Sequence, residues 1–315
     1  MRRLHRFVRE PEALLARDGA LPAGRGPMLE LAGISVAVSG VAEPAAGVLQ
    51  QLHGTGAAAG PPAVLLRAVP QPPGRFREAA AIDWDPYLAL EARPDSVCAA
   101  GYRWLLRVRR SRPLHATLWF DGTARGAEAE DLWENVLRIL MAYALLLGGG
   151  LLVHSAGIAL DGGGVLFPGA SGDGKSTVAA LCEGQSAVVL SDDCNAVLPP
   201  GGGDGPRICG LPFGGELRPR RRVPGTFPLA ALLTLRQAPL TGVRPLPAAE
   251  LAARLMRAAP FVNADPEVAD LLARRAGKLV GAVAGGELAF TLHGAVVEAL
   301  RAFLAAREGS QPVDE

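Results

Sequence analysis

The stretch Gly169-Ala170-Ser171-Gly172-Asp173-Gly174-Lys175-Ser176 constrains this chain more than any other, because it fits the spacing G-x-x-x-x-G-K-[ST]. A loop of this kind works only between a strand and a helix. The apolar run Val165-Leu166-Phe167-Pro168 supplies the strand, and Ser176 to about Glu183 reads as a short helix stopped by Gly184. Glycines let the backbone turn tightly, so that successive N–H groups point inward at phosphate oxygens. The helix adds the positive end of its dipole. In that geometry Lys175 reaches the β- and γ-phosphates, the Ser176 hydroxyl binds Mg²⁺, and Thr177 offers a further donor. The expectation is a site for ATP and Mg²⁺ running from Gly169 to Thr177. The loop reads phosphates and not the base, which leaves GTP open. Only Lys175 and Lys278 are lysines; every other Lys/Arg position is arginine. A planar guanidinium substitutes poorly for the point-like ammonium such a loop needs.

A second feature lies close behind. Asp192 follows Lys175 by 17 positions and Asp193 by 18. A helix of about nine residues descends roughly 13 Å from the loop. A turn at Gly184-Gln185 reverses the chain, and the apolar strand Ala187–Ser191 climbs back roughly 16–20 Å. The lengths nearly cancel, so the two carboxylates return to the level of the phosphates, at the strand end where α/β sheets bind ligands. Two carboxylates there can divide two tasks. One holds Mg²⁺, and the other accepts a proton from an attacking hydroxyl.

Elsewhere the pattern is plainer. Short apolar runs (Leu31–Val38, Ala63–Val69, Leu105–Val108, Leu114–Phe120) between Gly/Pro clusters predict a β-rich region, with Trp84, Trp104 and Trp119 as core or face aromatics. His53 and His115 stand alone there, without a catalytic constellation. A polar link from Asp121 to Glu130 marks the boundary. A largely buried helix is expected over Asp131–Leu147, ended by Gly148-Gly149-Gly150. Leu151–Leu160 reads as a strand, with a hairpin turn at Asp161–Gly164. Pro199–Pro206 reads as a loop and Arg207–Leu217 as a short β-like segment. Leu229–Leu235 is a strand or a helix start. Helices are expected over Ala248–Arg257, Pro266–Arg275 and Gly294–Ala306, and strands over Leu279–Val283 and Glu287–Leu292. The domains expected are 1–127, 128–306 and a flexible tail 307–315.

Composition bounds the function class. A hydrophobic share of 49% is enough to fill a core. A net charge of +1 lacks the basic field a nucleic-acid binder needs. None of Cys98, Cys182, Cys194 and Cys209 forms a CxxC pair or a zinc spacing, so they read as buried thiols in a reducing compartment. The basic N-terminus lacks the apolar core of a signal peptide, and the most apolar stretch, Ile139–Val153, is short and glycine-interrupted. A cytoplasmic protein with no membrane and no nucleic-acid partner is expected, with self-association left open.

His154 in LLVHSAGIAL, the loop GASGDGKST and the close-following LSDD together resemble the catalytic domain of the HPr kinase/phosphorylase family. That family shares a nucleotide site with phosphoenolpyruvate carboxykinase. The resemblance covers about 148–200 well and 201–300 loosely. It implies an α/β P-loop kinase domain preceded by a smaller β-rich region, with His154 catalytic or positioning, Asp192 as metal ligand and Asp193 as base. It also implies Mg²⁺-ATP-dependent transfer to a hydroxyl, a serine on a protein or peptide. The downstream motif tied to phosphorolysis is not found, so the sugar-transport protein HPr itself is a doubtful acceptor. Pro212–Arg218 and the arginines Arg218, Arg220, Arg221 and Arg222 are candidates for the acceptor side. A kinase for free serine and a non-catalytic nucleotide sensor are the alternatives.

Overall fold

The structure, a computed structural model, describes residues 3–17, 27–41, 46–49, 60–82, 87–183, 185–201, 205–214, 225–292 and 295–308. It is mixed α/β and carries two sheets. The chain divides into two compact units, residues 1–147 with 264–268, and residues 148–263 with 269–315.

In the first unit the described strands are β1 (Met28–Leu31), β2 (Ile34–Ser39), β3 (Val64–Gln71), β4 (Ala89–Ala92), β5 (Ser96–Gly101), β6 (Trp104–Arg109) and β7 (Leu114–Asp121). They form one sheet in the order β1-β2-β3-β7-β6-β5-β4, with parallel pairing of β2 to β3 and β3 to β7. The run expected as one strand over Leu31–Val38 is broken instead. Ala32 and Gly33 take positive φ of 49° and 74° and turn β1 back on β2 as a hairpin. Strands β4 and β5 were not expected, because Ala, Ser, Cys and Gly carry no strong strand pattern; β5 is buried at every position. The short helix α1 (Pro11–Leu15) packs Leu14 and Leu15 with Phe7 and Val8 against Cys98, Leu105 and Trp119.

The long helix α2 spans Ala127–Gly148 and starts four residues before the expected Asp131. Acidic Glu128 and Glu130 lie in its first turn, where the helix dipole favours them. The division between the units falls at the C-terminal end of α2, not at 127/128. Trp133 packs on Phe120 of β7 with ring centroids 5.6 Å apart, which ties the helix to the first unit. In the same unit Asp265 is fully buried, accepting hydrogen bonds from Tyr143 Oη at 2.8 Å and Arg110 Nη2 at 2.6 Å.

The second unit is built on the hairpin of β8 (Leu151–Leu160) and β9 (Gly163–Pro168). Asp161 and Gly162 form its two-residue turn with φ of 49° and 85°. The remaining strands are β10 (Ala187–Ser191), β11 (Cys194–Leu198), β12 (Arg207–Gly210), β13 (Phe227–Gln237), β14 (Gly242–Arg244) and β15 (Ala284–Phe290). β13 lies parallel between β9 and β15. Helices α3 (Lys175–Cys182) and α6 (Val296–Glu308) cover one face. Val178, Ala179, Val296 and Leu300 meet Ile158, Phe167, Leu233 and Phe290 there. Helix α4 (Ala248–Arg257) packs with α5 (Ala269–Ala282), and Leu251 sits where a side chain on Gly285 of β15 would have to go.

The segment Leu279–Val283 is not a strand, since α5 continues through it to Ala282. Leu272, Ala276, Leu279 and Val280 are its buried positions, a spacing of three and four that a short apolar run read alone does not reveal. The ambiguous Leu229–Leu235 is strand, within β13. Trp84, His53, Gly184, Gly294, residues 215–218 of the acceptor-side candidate, Arg220, Arg221 and Arg222, and the tail from 309 lie outside the described residues. Among the described residues no helix is long and apolar enough to cross a membrane.

Candidate functional site

Strand β9 ends at Pro168, the loop follows, and α3 begins at Lys175. Two turns of this loop demand glycine. Gly172 and Gly174 have φ of +88° and +91°, and a Cβ on Gly174 would come within 2.6 Å of Phe290 Cζ. Gly174 caps α3, its carbonyl accepting the Val178 N–H at 2.9 Å. The loop closes on itself through side chains. Lys175, only 6% exposed, donates from Nζ to Ala170 O at 2.5 Å. Asp173 Oδ2 accepts the Ala170 N–H at 2.6 Å. Ser171 lies in the exposed middle of the loop, and Ser176 and Thr177 lie in the first turn of α3.

The aspartates sit between β10 and β11. Ser191 is opposite Gly157 and Cys194 is opposite His154, so Asp192 and Asp193 keep step with β8 at Ala156 and Ser155. They interrupt a strand that continues into β11 along the same partner, which sequence did not anticipate because residues 194–198 were assigned no element. Asp192 is 4% exposed. The Asp193 carboxylate stands 3.7 Å from His154 Nε2.

One peptide group joins these parts. The carbonyl of His154 accepts the Gly169 N–H at 3.3 Å, at the start of the phosphate loop. The N–H of the same linkage, on Ser155, donates to Asp193 O at 2.9 Å. His154, the loop and Asp193 are thus brought together by a single peptide plane of β8.

A buried polar network fixes the aspartate turn. Ser191 Oγ accepts the N–H groups of Asp193 and Cys194, both at 3.2 Å. Asn195 Nδ2 donates to Ser155 O at 2.9 Å, Ser155 Oγ at 3.0 Å and Ser191 O at 3.3 Å. Ser155, Ser191 and Asn195 are fully buried. Sequence reading passed over all three, although polar residues in an otherwise apolar strand context were the available signal.

A cleft of about 250 Å³ opens beside the first half of the loop. His154, Pro168, Gly169, Ala170 and Asp173 line one wall, and Thr234, Leu235, Arg254, Arg257 and Ala258 the other. Thr234 lies two residues past the last β9–β13 pairing, Leu166 with Leu232, at the carboxyl end of parallel strands. The end of α4 is held here by the His154 N–H, which donates to Ala258 O at 2.7 Å. Arg254 and Arg257 were not singled out from the sequence. They are three apart in the last turn of a helix whose bounds were expected, and that spacing puts both on one face. Phe213, within the expected acceptor-side segment, is buried.

The residues fit a magnesium nucleotide. A Cβ on Gly169 or Gly174 would meet Asp173 or Phe290, and the buried Lys175 places its Nζ within the loop, against Ala170 O. Among the described residues no group of three or more His, Cys, Asp or Glu is placed to hold a metal.

Residues 127–265 match a family model described as ScmC, SynChlorMet cassette protein. The similar stretch takes in α2, the phosphate loop, the aspartate pair and α4. No curated protein matches the chain.

Proposed function

We propose that the chain is an Mg²⁺-ATP-dependent kinase of the HPr kinase-like type that phosphorylates a hydroxyl, a serine on a protein or peptide. The observation that carries this reading is the His154–Ser155 peptide group, which sets the start of the phosphate loop and Asp193 on its two sides. A base held at the level of a phosphate loop is what hydroxyl phosphorylation requires. In this reading Lys175 and the N–H groups from Gly172 to Thr177 hold the phosphates. Ser176 and Asp192 hold Mg²⁺, which neutralises charge on the phosphate oxygens. Asp193 accepts the serine proton as Oγ bonds to the γ-phosphorus and the bond to ADP breaks. His154, 3.7 Å from Asp193, positions that carboxylate.

The test is transfer of label from γ-labelled MgATP into a cleared lysate of the source organism, comparing wild type with Asp193→Asn. Label on a polypeptide with wild type alone is expected. Label on a small metabolite would replace the acceptor class with a free hydroxyl compound. Retained transfer in Asp193→Asn would remove Asp193 as base. No transfer alongside intact nucleotide binding would favour a sensor.

A further inference from the structure

Three arginines gather around one carboxylate, and a fourth follows one helical turn later. Glu287 of β15 is 2% exposed. Its Oε1 accepts Arg236 Nε at 2.6 Å and Arg244 Nε at 2.9 Å. Arg254 Nη2 lies 4.0 Å from its Oε2 and 2.6 Å from Glu250. Arg257, one helical turn on, has no acidic partner among the described residues and is exposed. Four guanidinium groups against two carboxylates leave the patch positive.

Next to this patch is an unsatisfied donor. Thr234 is 2% exposed, and its Oγ1 has no hydrogen-bond partner. It stands beside Glu287 in the β13–β15 register and lines the cleft with Arg254 and Arg257. A buried hydroxyl without a partner costs free energy unless something arrives to accept from it. What fits an orphaned hydroxyl that shares a cleft with two arginines is an anion, because arginine pairs with a carboxylate through two parallel hydrogen bonds. Asp173, the carboxylate that also lines the cleft, accepts the Ala170 N–H and keeps its charge, which the two arginines outnumber.

We infer that Arg254, Arg257 and Thr234 form an acceptor subsite that takes a carboxylate beside the acceptor serine, so that the substrate segment is an acidic peptide. The inference rests on the kinase reading of the neighbouring loop. Arg257 is exposed and His154 partly exposed where they line the cleft. With Glu287 holding Arg236 and Arg244, and Glu250 holding Arg254, Arg257 is the arginine that lines the cleft without an acidic partner among the described residues.

The experiment uses the full chain saturated with Mg²⁺ and the non-hydrolysable analogue AMP-PNP, so that the phosphate loop is occupied. Three capped peptides, Ala-Glu-Ser-Glu-Ala and its Gln and Lys counterparts, are titrated by calorimetry. Wild type is expected to bind the Glu peptide about ten-fold more tightly than the Gln peptide, with the difference fading at high salt. In Arg257→Gln the ratio is expected to fall to about two or less, and Arg257→Lys to restore part of it. Absence of discrimination among the peptides in wild type, an unchanged ratio in Arg257→Gln, or a loss confined to nucleotide affinity in that variant would each overturn the subsite. Failure of wild type to bind AMP-PNP would instead overturn the loop reading, and the same peptides titrated without nucleotide would still decide the subsite.

Discussion

At the scale of single residues, Asp173 is the acidic member of the loop. It places a carboxylate inside a loop that we propose holds phosphates, and its Oδ2 accepts the Ala170 N–H. Asp173→Asn keeps an acceptor and removes the charge. At about 6 Å in a water-exposed loop that charge costs a phosphate about 1 kcal/mol. MgATP is therefore expected to bind about five-fold more tightly to the variant, less so as salt rises, as calorimetry at two ionic strengths would record. Glu287 gives a pH prediction. Hydrogen bonding from Arg244, with Arg236 adding to it, holds its carboxyl below the usual carboxylate range. A depressed folded pKa adds stability above the ordinary carboxylate value, and that stability is lost as pH falls through the depressed one. Glu287→Gln should cost about 1–2 kcal/mol at pH 7, kept small because both guanidinium groups are half-exposed. Urea unfolding of the two proteins should converge as pH drops below the carboxylate range. Thiol chemistry gives a third check. Burial pushes Cys98 and Cys182 up to about 11, whereas Cys209 is partly exposed. A thiol reagent at pH 8 should label Cys209 first, and Cys98 and Cys182 only on unfolding.

At the scale of elements, the site depends on where β8 meets its neighbours. Asn195 ties Ser155 to Ser191 and so holds the aspartate turn against β8. Asn195→Ala leaves buried carbonyls without donors and should cost about 1–3 kcal/mol of stability. Activity should fall further than nucleotide affinity, because the turn carries Asp193 and not the loop; KM for ATP against kcat separates the two. The elements readable in sequence were those with a strong local code. The loop's glycines, the Asp161-Gly162 turn and the alternating runs of β3, β6 and β7 all belong there. What escaped were elements whose code is tertiary. β5 is small-residue strand buried by its neighbours, β11 follows two aspartates, and the end of α5 shows its period only together with Leu272 and Ala276.

At the scale of the whole molecule, sequence placed the phosphate loop, His154 and the aspartate pair on the right elements. It did so because the loop and the aspartates follow apolar strands and His154 lies within one, and a five-residue strand after an eight-residue helix has little freedom in where it returns. The opposite wall of the cleft was not legible. Thr234, Arg254 and Arg257 lie far along the chain from Gly169 and converge on it through parallel pairing of β9 with β13, which no local pattern encodes. The two compact units divide at the end of α2, one helix beyond the polar link at Asp121–Glu130, and Trp133 packs on Phe120 within the first of them.

The whole account stands on the loop from Gly169 to Thr177, and the most direct measurement is calorimetric titration of MgATP into wild type and Lys175→Ala. Saturable one-to-one binding by wild type is predicted, weakened about 50-fold or more in a variant that keeps its circular dichroism spectrum, the loss expected for a charged contact to phosphate. Folded wild type that does not bind MgATP, or equal affinity in the two proteins, would contradict it.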